Sequence, residues 1–421
     1  MNLNTIADYC LAYAYYYPLF MSYLWMCGGL YYRFHWEDSG GRKVDDPPAI
    51  ADAPPVSILI PCYNESEQLE ETIRYVFEQQ YADYDVIAVN DGSSDNTGEI
   101  LDELQQQYPK LRVVHLKHNR GKAVALKIAA MVSKSEFLVC IDSDAILEPT
   151  AVSWMMRHFI GSPRVAAVTG NPRIRNRSSL LGKIQVGEFS SIIGLIKRAQ
   201  RIYGRIFTVS GVVVAFRKSA LQRVGYWGMH TATDDIDISW KLQIDHWDIR
   251  YEPNALCWIL MPETYGGLWA QRLRWAQGGV EAALTYGGSL LSWRKRRMWM
   301  VLAEYLFSIV WSYIVAIILC LWLIGKFVTL PEQYMVPSLV PGWNGVVLAM
   351  TCLLQFMVSL LIDSRYEKGL WKYFFWMVWY PLAYWMINTL TIIVAAPKVL
   401  FRSSDPTGRW ESPDRGVRDE K

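Results

Sequence analysis

The chain has 421 residues, with 42 Lys and Arg against 40 Asp and Glu and a net charge of +2. That near balance excludes a nucleic-acid coat, which binds phosphates through a strong, clustered basic excess. Hydrophobic residues reach 52% and aromatics 14% while charged residues are only 19%, below the roughly 25% of a soluble domain, so apolar surface is left over for a solvent other than water. The cysteines, Cys10, Cys27, Cys62, Cys140, Cys257, Cys320 and Cys352, form no C-x-x-C pair and have no His at zinc spacing. They read as reduced thiols packed as small apolar groups.

Residues Tyr9 to Tyr32 carry no charge, and about 20 apolar residues suffice for a helix to cross a bilayer. No Lys or Arg precedes the run and no small-residue cleavage site follows it, which favours a membrane helix in unit 1–33 over a signal peptide. Arg33, Arg42 and Lys43 come just after it, so the positive-inside rule puts the following chain in the cytosol. Unit 34–55 is a polar linker rich in Pro and Asp, including Asp45, Pro47, Pro48, Asp52 and Pro55.

Unit 56–265 alternates short apolar runs with helical stretches. The runs Val56 to Ile60, Asp85 to Val89, Leu111 to Leu116, Phe137 to Ile141 and Val165 to Thr169 predict strands, with helices over Ser66 to Gln80 and Asp95 to Gln107. Runs of β-branched residues without alternation fit a parallel sheet covered on both faces, a doubly wound α/β fold. Leu181 to Tyr203 is amphipathic, with Lys183, Glu188, Lys197, Arg198 and Arg201 off the apolar stripe. Either a core helix with a solvated face or a helix in the membrane interface accounts for it.

Unit 266–297 reads as an interfacial helix ending in the basic run Arg294 to Arg297. Unit 298–400 holds apolar spans over Met298 to Ile324, Val346 to Ile362 and Trp371 to Ala396, the last interrupted by Pro381. Three spans would leave the tail, 401–421, on the outside, yet it carries Arg402, Arg409, Arg415 and Arg418. A kink or re-entrant turn at Pro381 resolves the conflict, as does a weak charge rule.

Four motifs carry chemistry. Asp91 and Gly92 follow the second strand, where ligands of such sheets bind, although Gly92 and Asp95 alone fit an ordinary strand-to-helix turn. Asp142-Ser143-Asp144 follows the fourth strand, and two carboxylates so placed favour a hard divalent cation shared with an anionic ligand. Thr233-Asp234-Asp235-Ile236-Asp237 opens a helix with more carboxylates than capping requires, so one of them is a candidate general base. Gln271, Arg274 and Trp275 share a helix face, where Arg can stabilise a departing diphosphate and Trp can stack on a sugar. Interfacial snorkelling explains that last set equally well.

In this order and spacing, the motifs resemble the processive members of glycosyltransferase family 2, which include cellulose, chitin and hyaluronan synthases. Within that family Thr169-Gly170-Asn171-Pro172-Arg173-Ile174-Arg175, the stretch Gly182 to Tyr203 and Trp258-Ile259-Leu260-Met261-Pro262-Glu263 look closely like the bacterial branch that makes poly-β-1,6-N-acetyl-D-glucosamine. The likeness runs from Pro54 to Ser412-Pro413-Asp414-Arg415-Gly416, and departs at the N-terminus, where relatives have a longer membrane region.

The resemblance implies a nucleotide-diphospho-sugar transferase (GT-A-like) fold with flanking transmembrane and interfacial helices, and a processive, inverting enzyme using UDP-N-acetylglucosamine. Its polymer would be an exported biofilm exopolysaccharide, or else a chitin, hyaluronan or cellulose type of chain. The resemblance also implies Mg2+ or Mn2+, a small membrane partner subunit, activation by cyclic di-GMP and a multi-pass place in the bacterial inner membrane, with the catalytic domain cytosolic. Residue by residue, it puts Asp91 on the uridine, Asp142 on the donor nucleotide and Asp144 on the metal. Asp235 becomes the base, beside Asp234 in a position where the family usually has Glu. Gln271, Arg274 and Trp275 line the acceptor end and the leaving group.

Overall fold

The computed structural model describes residues 5–37, 44–47, 49–50, 52–229, 231–336, 338 and 342–401. Arg42, Lys43 and Pro48 of the linker, and all of the tail beyond Phe401 with Arg402, Arg409, Arg415, Arg418 and the Ser412 to Gly416 segment, lie outside them. Helix α1 (Ile6–Tyr32) starts at a capping box: the Asp8 N–H donates to Thr5 Oγ1 and the Thr5 N–H to the Asp8 carboxylate.

The continuous apolar runs become strands because both of their faces are covered. The chain forms β1 (Val56–Cys62), α2 (Leu69–Val76), β2 (Tyr84–Asn90), α3 (Thr97–Gln107), β3 (Leu111–His115), α4 (Lys122–Val132) and β4 (Phe137–Ile141). Side chains alternate across the pleat. Ile58, Ile60, Val86 and Val139 pack on one face with Leu69, Ile73 and Leu101, while Leu59, Ile87, Val89 and Leu138 pack on the other with Ala125 and Leu126 of α4. Helix α2 is shorter than the expected Ser66 to Gln80 because its flanks bond elsewhere. The Ser66 N–H donates to Asp95, and the Gln79 amide to the Leu147 and Glu148 carbonyls.

Beyond β4 come β5 (Ile146–Leu147), α5 (Ala151–Met156) and β6 (Val165–Ile174). After a helical excursion follow β7 (Val213–Arg217) and β8 (Asp248–Ile259), and the strand order is β3-β2-β1-β4-β7-β6-β8-β5. The sheet is parallel over β3-β2-β1-β4 as the runs predict, but mixed beyond, because β7 is antiparallel to both β4 and β6. An apolar run carries no mark of strand direction, which the connections impose.

The excursion runs as α6 (Leu180–Phe189), a π-helical segment Ser190–Ile196 and α7 (Lys197–Tyr203). Neither reading of its charges as solvated or interfacial describes Glu188, Lys197 and Arg198, which are all buried. This helix is clamped between the sheet and the apolar helices, so both of its faces lose water. Next come α8 (Lys218–Val224), α9 (Asp234–Ile244), α10 (Tyr265–Leu290), a 3₁₀ segment Trp293–Met298, α11 (Trp299–Ile324), α12 (Gly342–Asp363), a 3₁₀ stretch Leu370–Trp379 and α13 (Tyr380–Leu400).

Among the described residues two helices are long and apolar enough to cross a membrane, Trp293–Ile324 and Trp343–Asp363. The third expected span is divided where the 3₁₀ stretch gives way to α13, and its apolar α-helical part is the shorter Met386–Leu400. Helix α1 is tyrosine-rich and is laced to α11: Tyr13 and Tyr17 donate to the Phe307 and Glu304 carbonyls, and Trp311 donates to the Ala14 carbonyl.

Candidate active site

Carboxyl ends of β2 and β4 meet the amino end of α4. Asp91, fully buried at the end of β2, accepts the Arg120 N–H at 2.9 Å on one oxygen and the Gly121 N–H at 2.7 Å on the other. Burial raises its pKa above the ordinary aspartate value, against the pull of those two donors. The turn needs glycine twice, since Gly92 has φ +68° and a Cβ there would lie 2.6 Å from the His118 carbonyl carbon, while Gly121 has φ +93°. Asp91 therefore fixes the loop that delivers Lys122.

Lys122 is a residue that the motifs do not mark. Its ammonium donates to Asp142 Oδ1 and, at 3.5 Å, to the Gly211 carbonyl. Burial works against the charge, but Asp142, Asp234 and Asp235 together hold it well above the usual lysine range. One half-buried cation thus gathers the second and third acidic motifs around itself. Asp144 stands partly exposed at the same strand end, two positions beyond Asp142. The sequence signal of Lys122 was a lysine after glycine at the start of a helix, too common to single out.

The three aspartates that open α9 divide their work. Asp235 accepts the Ile236 N–H at 2.9 Å and lies against Gly211, where a Cβ would be 3.4 Å from its own. Burial and the neighbouring Asp234 carboxylate push its pKa up to about 6, while Lys122 and Arg274 pull the other way. Asp237 is saturated: it accepts the Gly228 N–H at 2.7 Å and the Tyr286 hydroxyl at 2.5 Å, and pairs with Lys241 at 2.8 Å. It is a structural clamp.

Helix α10 brings its motif to the same place. Gly278 lets it approach Thr233, the residue before α9, so closely that a Cβ would fall 1.8 Å from Thr233 Oγ1. Arg274 is exposed on the side that acts on Asp235. Trp275 packs on the main core beneath the Arg272 guanidinium, 4.3 Å from its centroid. Arg272, also unmarked by the motif, is buried and pairs with Glu188 at 2.6 Å. Gln271 points its amide at Met261 Sδ, 3.9 Å away, and its buried Oε1 has no partner.

A turn bearing a lysine-bound aspartate beside a second carboxylate of raised pKa is the equipment for moving a group off a phosphate leaving group. The family model described as "Glycosyltransferase like family 2" matches residues 54–278. The chain belongs to this glycosyltransferase family. The transferase is 42% identical over 402 residues to a poly-beta-1,6-N-acetyl-D-glucosamine synthase of Staphylococcus epidermidis, covering 95% of this chain and 97% of the relative. A synthase of the same name from Staphylococcus aureus is 40% identical over 401 residues, with the same coverage. Among solved structures, a mannosyltransferase from Pyrobaculum calidifontis in complex with GDP-Man and Mn2+ superposes with a TM-score of 0.62, 20% identity and coverage of 94% and 98%. This last likeness concerns the fold, a GT-A sheet and its flanking helices.

Among the described residues no three or more His, Cys, Asp or Glu side chains are gathered around a metal position. The oxygens of Asp142 and Asp144 fit a hard divalent ion of the kind that takes one or two carboxylates and completes its shell from substrate phosphates and water. Ser143 Oγ, between them in sequence, is buried and has no hydrogen-bond partner among the described residues.

Proposed function

We propose that this transferase polymerises N-acetylglucosamine from UDP-N-acetylglucosamine into poly-β-1,6-N-acetyl-D-glucosamine, an exported biofilm polysaccharide, by single displacement with inversion. The observation that carries the reading is Asp235: a carboxylate titrating at about 6, beside the lysine that holds the donor-side aspartate. A group of that acidity is ionised at neutral pH yet basic enough to accept a proton. Asp235 takes the proton of the 6-hydroxyl at the chain end as its oxygen bonds to the anomeric carbon. The bond from that carbon to UDP breaks on the opposite face, so an α-linked donor yields a β linkage.

Lys122 and Arg274 face the charge that grows on the departing diphosphate. Mg2+ or Mn2+, held by Asp144 with Asp142 on the donor nucleotide, would supply Lewis-acid neutralisation of the diphosphate when bound. Asp91 lines the uridine end through the loop it holds, Asp234 keeps the Asp235 pKa high, and Gln271 and Trp275 border the acceptor. Asp235→Asn is expected to abolish polymer formation while UDP binding persists, measured by radiolabel incorporation and calorimetry. Retained synthesis would overturn the assignment. Linkage analysis of the product distinguishes the β-1,6 polymer from chitin, hyaluronan or cellulose types.

The apolar helices α11 and α12, together with α1, seat the transferase in the bacterial inner membrane as a multi-pass protein in contact with lipid, with the catalytic domain in the cytosol, and the growing polysaccharide leaves through them. The exposed basic segment Arg294 to Arg297 lies where a small membrane partner or cyclic di-GMP would meet the bilayer surface. Titrating cyclic di-GMP with and without the partner tests that regulation, and activation that needs neither would remove it.

A further inference from the structure

Lys197 is a lysine that the reaction as drawn leaves without a task. It opens α7, is buried, and its ammonium donates to Ser210 Oγ at 2.6 Å and to Thr169 Oγ1 at 3.4 Å. Thr169 Oγ1 in turn accepts the Ser210 N–H at 2.8 Å. The next residue is Gly211, whose carbonyl Lys122 holds and on whose Cα side Asp235 rests. The same turn is tied to α9 once more, as Val209 N–H donates to Ser239 Oγ and Ser239 donates to the Asp235 carbonyl. On its other side Lys197 lines a cavity of about 280 Å³ with Tyr17, Trp25, Gln200, Phe207 and Glu304, between α1, α7 and α11.

A buried ammonium is costly unless something nearby uses its charge. Here the neighbours that hydrogen-bond to it are neutral hydroxyls, and the carboxylate that acts on it is Asp235. We propose that Lys197 is a positioning residue for the base: it holds the Ser210–Gly211 turn against Asp235 and lends buried positive charge that favours the ionised carboxylate. This inference rests on Asp235 being the base.

The charged groups around the pair come from every side. Asp234 on α9 opposes ionisation of Asp235, whereas Lys122 from α4 and Arg274 from α10 favour it. Glu304 of α11 faces Lys197 across the cavity. Burial lowers the Lys197 pKa to about 7, against the pull of Asp235, so the ammonium is mostly charged at the midpoint of the base's titration near 6 and loses its proton above it.

The test is the pH dependence of kcat in the full membrane-embedded chain with UDP-N-acetylglucosamine and Mg2+, for Lys197→Met, Lys197→Arg, Ser210→Ala and Asp235→Asn. Removing the positive charge raises the Asp235 pKa. Lys197→Met is therefore expected to move the acid limb upward by about one pH unit, costing roughly tenfold in rate at pH 5.5 and little at pH 8. Donor KM should stay within about twofold, since Lys197 is not placed on the donor. Lys197→Arg keeps the charge and should restore the limb, while Ser210→Ala should lower the rate evenly with the limb in place. If Lys197→Met does not accumulate, Lys197→Gln carries the same expectation.

A Lys197→Met profile reduced by one factor at every pH, or an unmoved limb, overturns the inference. Asp235→Asn separates the two claims. If it is inactive at all pH values and Lys197→Met leaves the limb unmoved, only the role of Lys197 falls; if it stays active, the base assignment falls.

Discussion

Asp235 and Asp237 sit two positions apart on one helical turn, and their surroundings give them opposite tasks. Asp237 has a backbone donor, a tyrosine hydroxyl and a lysine, so its charge is fully used. Asp235 has one backbone donor and a like-charged neighbour, which leaves it basic. The rate should therefore fall as pH drops through about 6, where Asp235 gains its proton, and a plot of kcat/KM against pH reads that limb. Asp237→Asn should leave the limb in place and destabilise the fold by about 1–3 kcal/mol through lost charge-assisted hydrogen bonds, read as a lower Tm. Lys122→Met should cut kcat/KM by about 100-fold, the size of losing one preorganised charge at a developing anion, with the donor KM rising as well. The carboxylates were legible because paired acids past a strand are costly without a purpose. Lys122 and Lys197 were not, because a single lysine in a loop or helix carries no pattern, and only burial reveals what its charge does.

At the scale of elements, the first half of the sheet follows from its apolar runs, and the parallel pairing of β2 and β4 on either side of β1 puts Asp91 and Asp142 at the same carboxyl end of the sheet. The helix from Leu180 to Tyr203 shows where periodicity stops informing. Its charges sit off the apolar stripe as on a solvated face, yet a second layer of helices buries them. The contact between α10 and α9 is likewise set by a local detail, the missing side chain of Gly278. Gly278→Ala puts a methyl 1.8 Å from Thr233 Oγ1, so one helix must shift. Since Arg274 and Asp235 lie on either side of that contact, a loss of about tenfold or more in kcat is expected, with Tm lowered by a few degrees. Initial rates and thermal unfolding in detergent check both parts.

On the scale of the whole molecule, the apolar helices are joined to the catalytic sheet by ion pairs that water does not reach. Asp363, at the end of α12, accepts from Arg198 at 3.0 Å and pairs with Arg173 of β6 at 2.9 Å, and Arg198 also pairs with Glu37 beyond α1 at 2.5 Å. Asp363→Ala leaves two buried guanidinium groups short of charge and is expected to cost roughly 3–5 kcal/mol, read as a lower Tm of the detergent-solubilised protein. A loss below 1 kcal/mol would show that the layers are held by apolar packing alone. By itself the sequence determined the class of chemistry, the acidic motifs, the leading strands and the apolar surplus, because these depend on residue type and short-range spacing. The tertiary structure decided the direction of β7, the burial of Lys197 and Arg198, the saturation of Asp237 and the place of Lys122 among three carboxylates. Each of those depends on which distant segment removes water from a group and supplies its partner, and no local pattern encodes that.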